Sequence, residues 1–308
     1  MSRKTLDAIE SDTMHDLDLW FPSPPGLELA ENEIHIWRAY LDSQGTSLGR
    51  LAETLASDEN ERARRFFFER DRNRFVTSRG TLRELLGKYL SCLPKEIEFE
   101  YSSQGKPSLR KQGPGRPIRF NVSHSHGLGL FAFARGHNLG VDVELVRSDF
   151  GGEEIAARYF APQEIEELRI LPPSLRAEGF FLCWTRKEAY IKARGEGLQI
   201  PLDSFCVSLT PGEIAQLYSA DAMRWSVRSL RPDRGYVGAL VGLECFEGRI
   251  IVSVPNDYGM TTSGPDGAKG TSKRYSKPHD HVLSQMRFGP VDIRFTMVDR
   301  KDMSRLAK

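Results

Sequence analysis

The chain has 308 residues, 39% of them hydrophobic and 28% charged, with 43 Lys and Arg against 42 Asp and Glu. A charge balance this close to zero argues against nucleic acid or an anionic membrane as partner, so any anion site must be local. No apolar stretch approaches membrane-spanning length and the acidic N-terminus lacks a secretory apolar core, so one or two globular domains in the cytoplasm are expected.

Residues 1–32 are polar and then Pro-rich, with FPSPPG at 21–26, and read as an extension outside the fold. Glu33 to Tyr40 alternates Ile34 and Ile36 with His35 and Trp37, as a strand does. Ser57 is placed as the N-cap of a helix that continues, with one break, to Leu90. Eight arginines lie between Arg62 and Arg83, interleaved with Phe66, Phe67, Phe68 and Phe75. Aromatics in a core with arginines solvated or paired is the common outcome; a basic face for nucleic acid is the alternative. A strand near Ile97 to Tyr101, the loop Gln104 to Pro107 and a strand from Ile118 to Val122 follow.

The run Asn121-Val-Ser-His-Ser-His breaks off that strand with hydroxyls and imidazoles able to donate to phosphate oxygens. A hairpin is expected next, Leu128 to Ala134 against Leu139 to Val146, turning at Arg135 to Asn138. In its second strand Asp142 and Glu144 share one face while Val141, Val143 and Leu145 share the other. Residues two apart on a strand lie ~6.6 Å apart, so both carboxylates could reach one hydrated cation. Hard oxygen donors suit Mg²⁺; the alternative is an ordinary solvent-facing strand.

Helices are expected over Glu153 to Phe160 and Ala161 to Leu171, then a buried one from Phe180 that stops at Gly195-Glu-Gly. Phe180, Trp184 and Ile191 form its apolar stripe, and Glu188 falls on the stripe's edge. A carboxylate in that position needs a cation or a metal, unless Glu188 and Lys192 simply form an exposed i, i+4 pair. Strands over Pro201 to Leu209, Met223 to Leu230 and Gly235 to Cys245 complete the fold. Beyond about Val254 the chain is polar, Gly-rich and without periodicity, so disorder is expected and truncation there should leave a folded, active protein. The four cysteines, Cys92, Cys183, Cys206 and Cys245, show no metal-type spacing and suit buried thiols in a reducing compartment.

Several of these stretches, taken in order over about 33–247, resemble the Sfp-type phosphopantetheinyl transferases. They are GKP at 105–107, FNVSHS at 120–125, GVDVE at 140–144, FxxxWTRKEAYIKARGEGL from Phe180 and PLDSF at 201–205. The resemblance implies an α+β fold made of a pseudo-twofold pair of similar subdomains, 33–139 and 140–254, with coenzyme A and Mg²⁺ in the cleft between them. An extension at 1–32 and a tail at 255–308 then lie outside the family pattern. It further implies that Asp142, Glu144 and Glu188 are metal ligands and that Lys187 and Lys192 face phosphate. Ser123, His124 and Lys106 become coenzyme contacts, with His124 near the ribose phosphate, and Arg62 and Arg74 become basic phosphate-binding residues. One position departs: Glu59 stands where the family often has a lysine.

The implied reaction moves the phosphopantetheine arm of coenzyme A onto a serine of an apo carrier protein of acyl, polyketide or peptidyl type. Glu188 is its candidate base, directly or through a metal-bound water, and Lys192 steadies the leaving phosphate. A monomer is expected. The competing readings are a Mg²⁺-dependent nuclease and a non-catalytic carrier-binding homologue.

Overall fold

The computed structural model describes residues 16–17, 20–22, 27–103, 105–149, 152–196, 199–243 and 249–255. The expected disorder after residue 255, and residues 1–15 of the expected extension, lie outside the described residues. In chain order the elements are β1 (Asp16–Leu17), β2 (Phe21–Pro22), β3 (Glu33–Tyr40), α1 (Gly45–Ala52), α2 (Ser57–Arg64) and α3 (Glu69–Leu90). They continue with β4 (Phe99–Tyr101), β5 (Pro107–Leu109), β6 (Ile118–Ser125), β7 (Leu128–Arg135), β8 (Leu139–Leu145), α4 (Glu153–Tyr159), α5 (Pro162–Ile170) and α6 (Pro173–Arg194). The last are β9 (Cys206–Val207), β10 (Leu217–Tyr218), β11 (Trp225–Leu230), β12 (Tyr236–Leu243) and β13 (Arg249–Val254). The protein is thus α+β, as expected. No helix among the described residues is long and apolar enough to cross a membrane.

The chain divides into two compact units, one built on 28–40 and 112–253, the other on 41–111. The first holds two sheets, ordered β2-β13-β3-β7-β6 and β1-β11-β12-β8. Within each, three strands follow the same plan. The first in chain order pairs with the third, and the third with the second: β3-β7-β6 in one, β8-β12-β11 in the other, all antiparallel. A helix of 22 residues separates the first strand from the second in both cases, α3 in one and α6 in the other. The pseudo-twofold plan, invisible as a sequence repeat, is explicit in strand order. One core joins the sheets, with Ile34, Ile36, Leu128, Leu130, Val141, Val143 and Leu240 all buried in it.

Several expectations are corrected by the pairing. Leu128 to Ala134 and Leu139 to Val146 do not form a hairpin: β7 pairs with β3 and β6, and β8 pairs with β12. The tight turn lies instead at His126-Gly127, between β6 and β7, where His126 takes φ 53°. The helix at 57 starts from Ala56, whose backbone N–H donates to Glu59 Oε2 at 2.9 Å, so Ser57 is the first helical residue and not the cap. Of the strand expected over Pro201 to Leu209 only β9 forms, after a single 3₁₀ turn at Leu202–Ser204.

The two short strands near the N-terminus and β13 were not foreseen. β1 runs parallel to β11, and Trp20 Nε1 donates to Arg231 O at 3.1 Å, so part of the expected extension is tied to the fold.

Helix α6 begins at Pro173, earlier than the Phe180 start of the apolar stripe, because a proline at the first turn loses no intrahelical hydrogen bond. It ends at Gly195, whose φ of 75° is the left-handed cap that glycine adopts without a Cβ clash. At Gly140 of β8, α6 comes close. A Cβ there would sit 2.0 Å from Ala189 O and 2.5 Å from Ala193 N.

In the second unit Leu55, Ala63 and Val76 form a small core flanked by Leu48, Ala52 and Phe75. Glu59 is buried beside it, 2.6 Å from Arg83 Nε and 3.5 Å from Arg79 Nε.

Candidate active site

Strand alternation places Val141 and Val143 in the core, while Asp142, 1% exposed, and Glu144 leave β8 on its other face. Helix α6 brings Glu188 and Lys192 to the same place, both buried despite their charges. Lys192 Nζ lies 2.6 Å from Asp142 Oδ1 and also donates to Ser123 Oγ at 3.2 Å and to Val141 O at 3.3 Å. The exposed Glu188–Lys192 pair is therefore not what the fold forms; this lysine is turned onto the strand carboxylate.

Strand β6 supports the two β8 carboxylates from the side, one hydroxyl each. Ser123 Oγ donates to Asp142 Oδ1 at 2.7 Å, and Ser125 Oγ donates to Glu144 Oε2 at 2.6 Å. Asn121 Oδ1 accepts from the Val141 backbone N–H at 2.8 Å. Residues 121, 123 and 125 share one face of β6, so a period-two row of side chains meets a period-two row of carboxylates. Ser125 and Asn121 were not among the expected site residues. The signal that could have found them is this matched spacing of NVSHS and DVE.

Burial pushes the Asp142 carboxyl up, against the pull of Lys192 and Ser123. Burial, reinforced by the Asp142 charge, raises Glu144 to about 8. Glu188 is raised to about 8 by burial first, with Lys192 pulling it down and Asp142 and Glu144 pushing it up. Asp142 Oδ2 is buried with no hydrogen-bond partner. Three buried acids thus gather at one lysine, with a weaker pull from Arg147 on Glu144. A hard divalent cation fits such an oxygen donor set, and Asp142, Glu144 and Glu188 are the residues that would hold it. Even so, no group of three or more His, Cys, Asp or Glu among the described residues is gathered into a ready-made metal cage. Lys192 holds one of the oxygens such a cage would use.

The other expected residues separate into three cases. Ser123 is 1% exposed and its hydroxyl donates to Asp142, bracing that carboxylate. His124, its neighbour, is exposed on the opposite face of β6. Lys187 does not face outward: its side chain has no exposed surface, and Nζ lies 2.7 Å from Glu164 Oε2.

Arg62, Arg74 and Lys106 belong to the second unit. There the Arg62 guanidinium lies 5.1 Å over the Phe75 ring, and Arg74 grips Asp42 with two bonds of 2.6 and 3.0 Å. Lys106 closes a short turn, its backbone N–H donating to Ser102 Oγ at 3.1 Å. Glu59, the departure from the family pattern, caps α2 and pairs with Arg79 and Arg83 inside the unit. Its carboxylate is used structurally.

Comparison with known proteins bears on the family. Residues 138–241 match the profile of the 4'-phosphopantetheinyl transferase superfamily, and residues 42–134 match that of the 4'-phosphopantetheinyl transferase N-terminal region. The 4'-phosphopantetheinyl transferase HetI of Nostoc sp. is 43% identical over 221 residues, covering 72% of this chain and 92% of that protein. A putative 4'-phosphopantetheinyl transferase of Synechocystis sp. is 36% identical over 188 residues, covering 59% and 74% respectively. The transferase Sfp of Bacillus subtilis is 30% identical over 161 residues, covering 52% and 69%. A crystal structure of a holo-(acyl-carrier-protein) synthase from Bacillus anthracis in complex with CoA overlaps 34% of this chain and 94% of its own. Its identity is 20% and its TM-score 0.28, too partial a match to bear on the fold. With the relatives matched over most of their own length, the chain belongs to the 4'-phosphopantetheinyl transferase family and is an enzyme of that class.

Proposed function

We propose that this protein transfers the 4'-phosphopantetheine arm of coenzyme A to a serine hydroxyl of an apo acyl, polyketide or peptidyl carrier protein. The observation that carries the reading is the undercompensated acid cluster: Asp142 with a buried unpartnered oxygen, and Glu144 and Glu188 both raised to about 8. Mg²⁺ held by Asp142, Glu144 and Glu188 would supply charge neutralisation to the pyrophosphate. Everything else is asked of the chain's own groups. The serine oxygen attacks the β-phosphate, the bond from that phosphorus to the bridging oxygen breaks, and 3',5'-ADP departs. Glu188 is the group that takes the serine proton. Lys192, one helical turn on, would steady the charge that develops on the departing phosphate once a bound cation takes over the Asp142 oxygen that this lysine holds in the metal-free protein.

Ser123 and Ser125 hold the strand carboxylates in register. We assign coenzyme phosphate contacts to His124, Arg62, Arg74 and Lys106. The halves at 33–139 and 140–254 are taken as the family's paired subdomains. The test is mass spectrometry of an apo carrier protein incubated with the enzyme, coenzyme A and Mg²⁺. A mass gain of one phosphopantetheine arm on the carrier serine is expected. An unmodified carrier overturns the reading, and cleavage of nucleic acid in the same buffer replaces it with a metal-dependent nuclease.

A further inference from the structure

Lys187 stands one residue before Glu188, and its ammonium is fully committed. Nζ lies 2.7 Å from Glu164 Oε2 and donates to Leu202 O at 2.7 Å and Phe205 O at 2.6 Å, with the Phe205 ring centroid 4.4 Å away. An ammonium has three N–H donors, so these acceptors use all of them and leave none for a phosphate. Glu164 is equally occupied: Oε2 accepts from the Ala161 backbone N–H at 2.8 Å and Oε1 from the Val207 N–H at 2.7 Å. One ion pair therefore ties together the first turn of α5, the segment 202–207 and the middle of α6. A second tie sits one residue earlier, where Arg186 donates to Ser208 O at 2.6 Å and to Ser229 Oγ at 2.8 Å.

Successive residues leave a helix ~100° apart, so fixing 186 and 187 fixes the direction in which 188 leaves. We propose that Lys187 is a positioning residue. Its ion pair with Glu164 sets the rotation of α6 and thereby holds Glu188 toward Asp142 and Glu144, and it does not bind coenzyme phosphate. The inference rests on the transferase reading and deepens it, changing the role that the family resemblance implies for this lysine.

The test is a double-mutant cycle of Lys187→Met and Glu164→Gln, with Lys187→Arg as the charge-keeping variant. Three quantities are read well below each protein's melting temperature: kcat, coenzyme A affinity by calorimetry, and Mn²⁺ affinity from the free-ion EPR signal. Each single variant should lose kcat on the order of a hundredfold, the scale of a small misplacement at the reacting centre. Mn²⁺ binding should weaken at least about tenfold, as when a ligand loses its support. The double variant should be no worse than either single, because both remove one interaction. Coenzyme A affinity should stay within about twofold, and Lys187→Arg should recover part of the kcat.

Loss of coenzyme A affinity in Lys187→Met but not in Glu164→Gln would overturn the proposal in favour of a phosphate contact. So would additive losses. A drop in melting temperature alone, with kcat and Mn²⁺ affinity kept, would reduce the pair to a fold element. Should Lys187→Met fail to fold, Glu164→Gln carries the same expectations. Absence of transfer by the wild-type enzyme would count against the transferase reading, and the Mn²⁺ measurements would still decide this one.

Discussion

Helices α3 and α6 have the same length, 22 residues, and each closes on a left-handed residue, Ser91 at φ 53° and Gly195 at φ 75°. Both carry charge into the interior, and they differ in what meets it. Beside α3, Arg79 and Arg83 approach Glu59, Arg83 donates further to Pro94 O and Ile97 O, and both guanidiniums lie 5.2 Å over the Phe99 ring. Beside α6, Lys187 and Glu164 cancel one another, but Asp142, Glu144 and Glu188 gather at Lys192, with only a weaker pull from Arg147 on Glu144. Burial of charge is common to both regions and does not mark function. What marks the second region is an excess of acids over bases, which a proton or an incoming cation must neutralise.

The widest separation of the two regions should come from Glu59→Gln. Removing one partner of a buried ionic cluster costs about 3–5 kcal/mol, so the melting temperature should fall while kcat, measured well below it, is kept. A loss of kcat at unchanged stability would move Glu59 from scaffold to site. Glu188→Gln should do the reverse, lowering kcat on the order of a hundredfold or more with no loss of stability, since glutamine resembles the protonated form that burial favours. Near-normal turnover at saturating Mg²⁺ would put Glu188 with the scaffold.

His124→Ala probes the exposed side of the strand that supports the acids. A charge-assisted hydrogen bond is worth ~1.5–3 kcal/mol, roughly ten- to a hundredfold. That loss should appear in kcat/KM for coenzyme A and not for dephospho-coenzyme A. An unchanged ratio of the two removes His124 from coenzyme recognition.

The smallest effect expected is in pH dependence. Glu144 and Glu188 are raised from 4.5 to about 8, so their protonated forms favour the folded state. Their contribution to stability is full below about 4.5 and is lost as pH rises through about 8. The melting temperature of the metal-free protein should therefore decline across that window more steeply than that of Glu144→Gln/Glu188→Gln. Asp221, lowered to about 2 although burial opposes the shift, loses its stabilisation only at more acid pH and does not blur the comparison. Parallel declines in the two proteins would show that the acids are compensated within the fold.

What could be read from residues alone was local. Alternation gave β3 and β8, and glycine with apolar spacing gave the body and the end of α6. The acids of the site followed because a strand and a helix have fixed periods. Pairing between strands is non-local, and there the reading failed. The four residues from Arg135 to Asn138 resemble a hairpin turn, yet they carry the chain from one sheet to the other. The true turn at His126-Gly127 was absorbed into a run taken for binding chemistry. The partners of Lys187 went unread for the same reason, since they lie at 164, 202 and 205 and no spacing within its own helix announces them. The strands β1 and β2 have two residues each, too few to carry a pattern, and their partners define them.

Gly140 gives the distance between β8 and α6 a floor that no polar interaction sets. With a Cβ 2.0 Å from Ala189 O, even alanine there acts as a wedge against backbone, which cannot rotate away as a side chain can. The wedge would open directly beside Lys192, whose Cβ lies 2.9 Å from the same point, and would lift it from Asp142 together with the helix that carries Glu188. Every charged group could then remain in place in the sequence while the enzyme fell silent. In this molecule the smallest side chain is the spacer that decides whether the largest charges can act as a set.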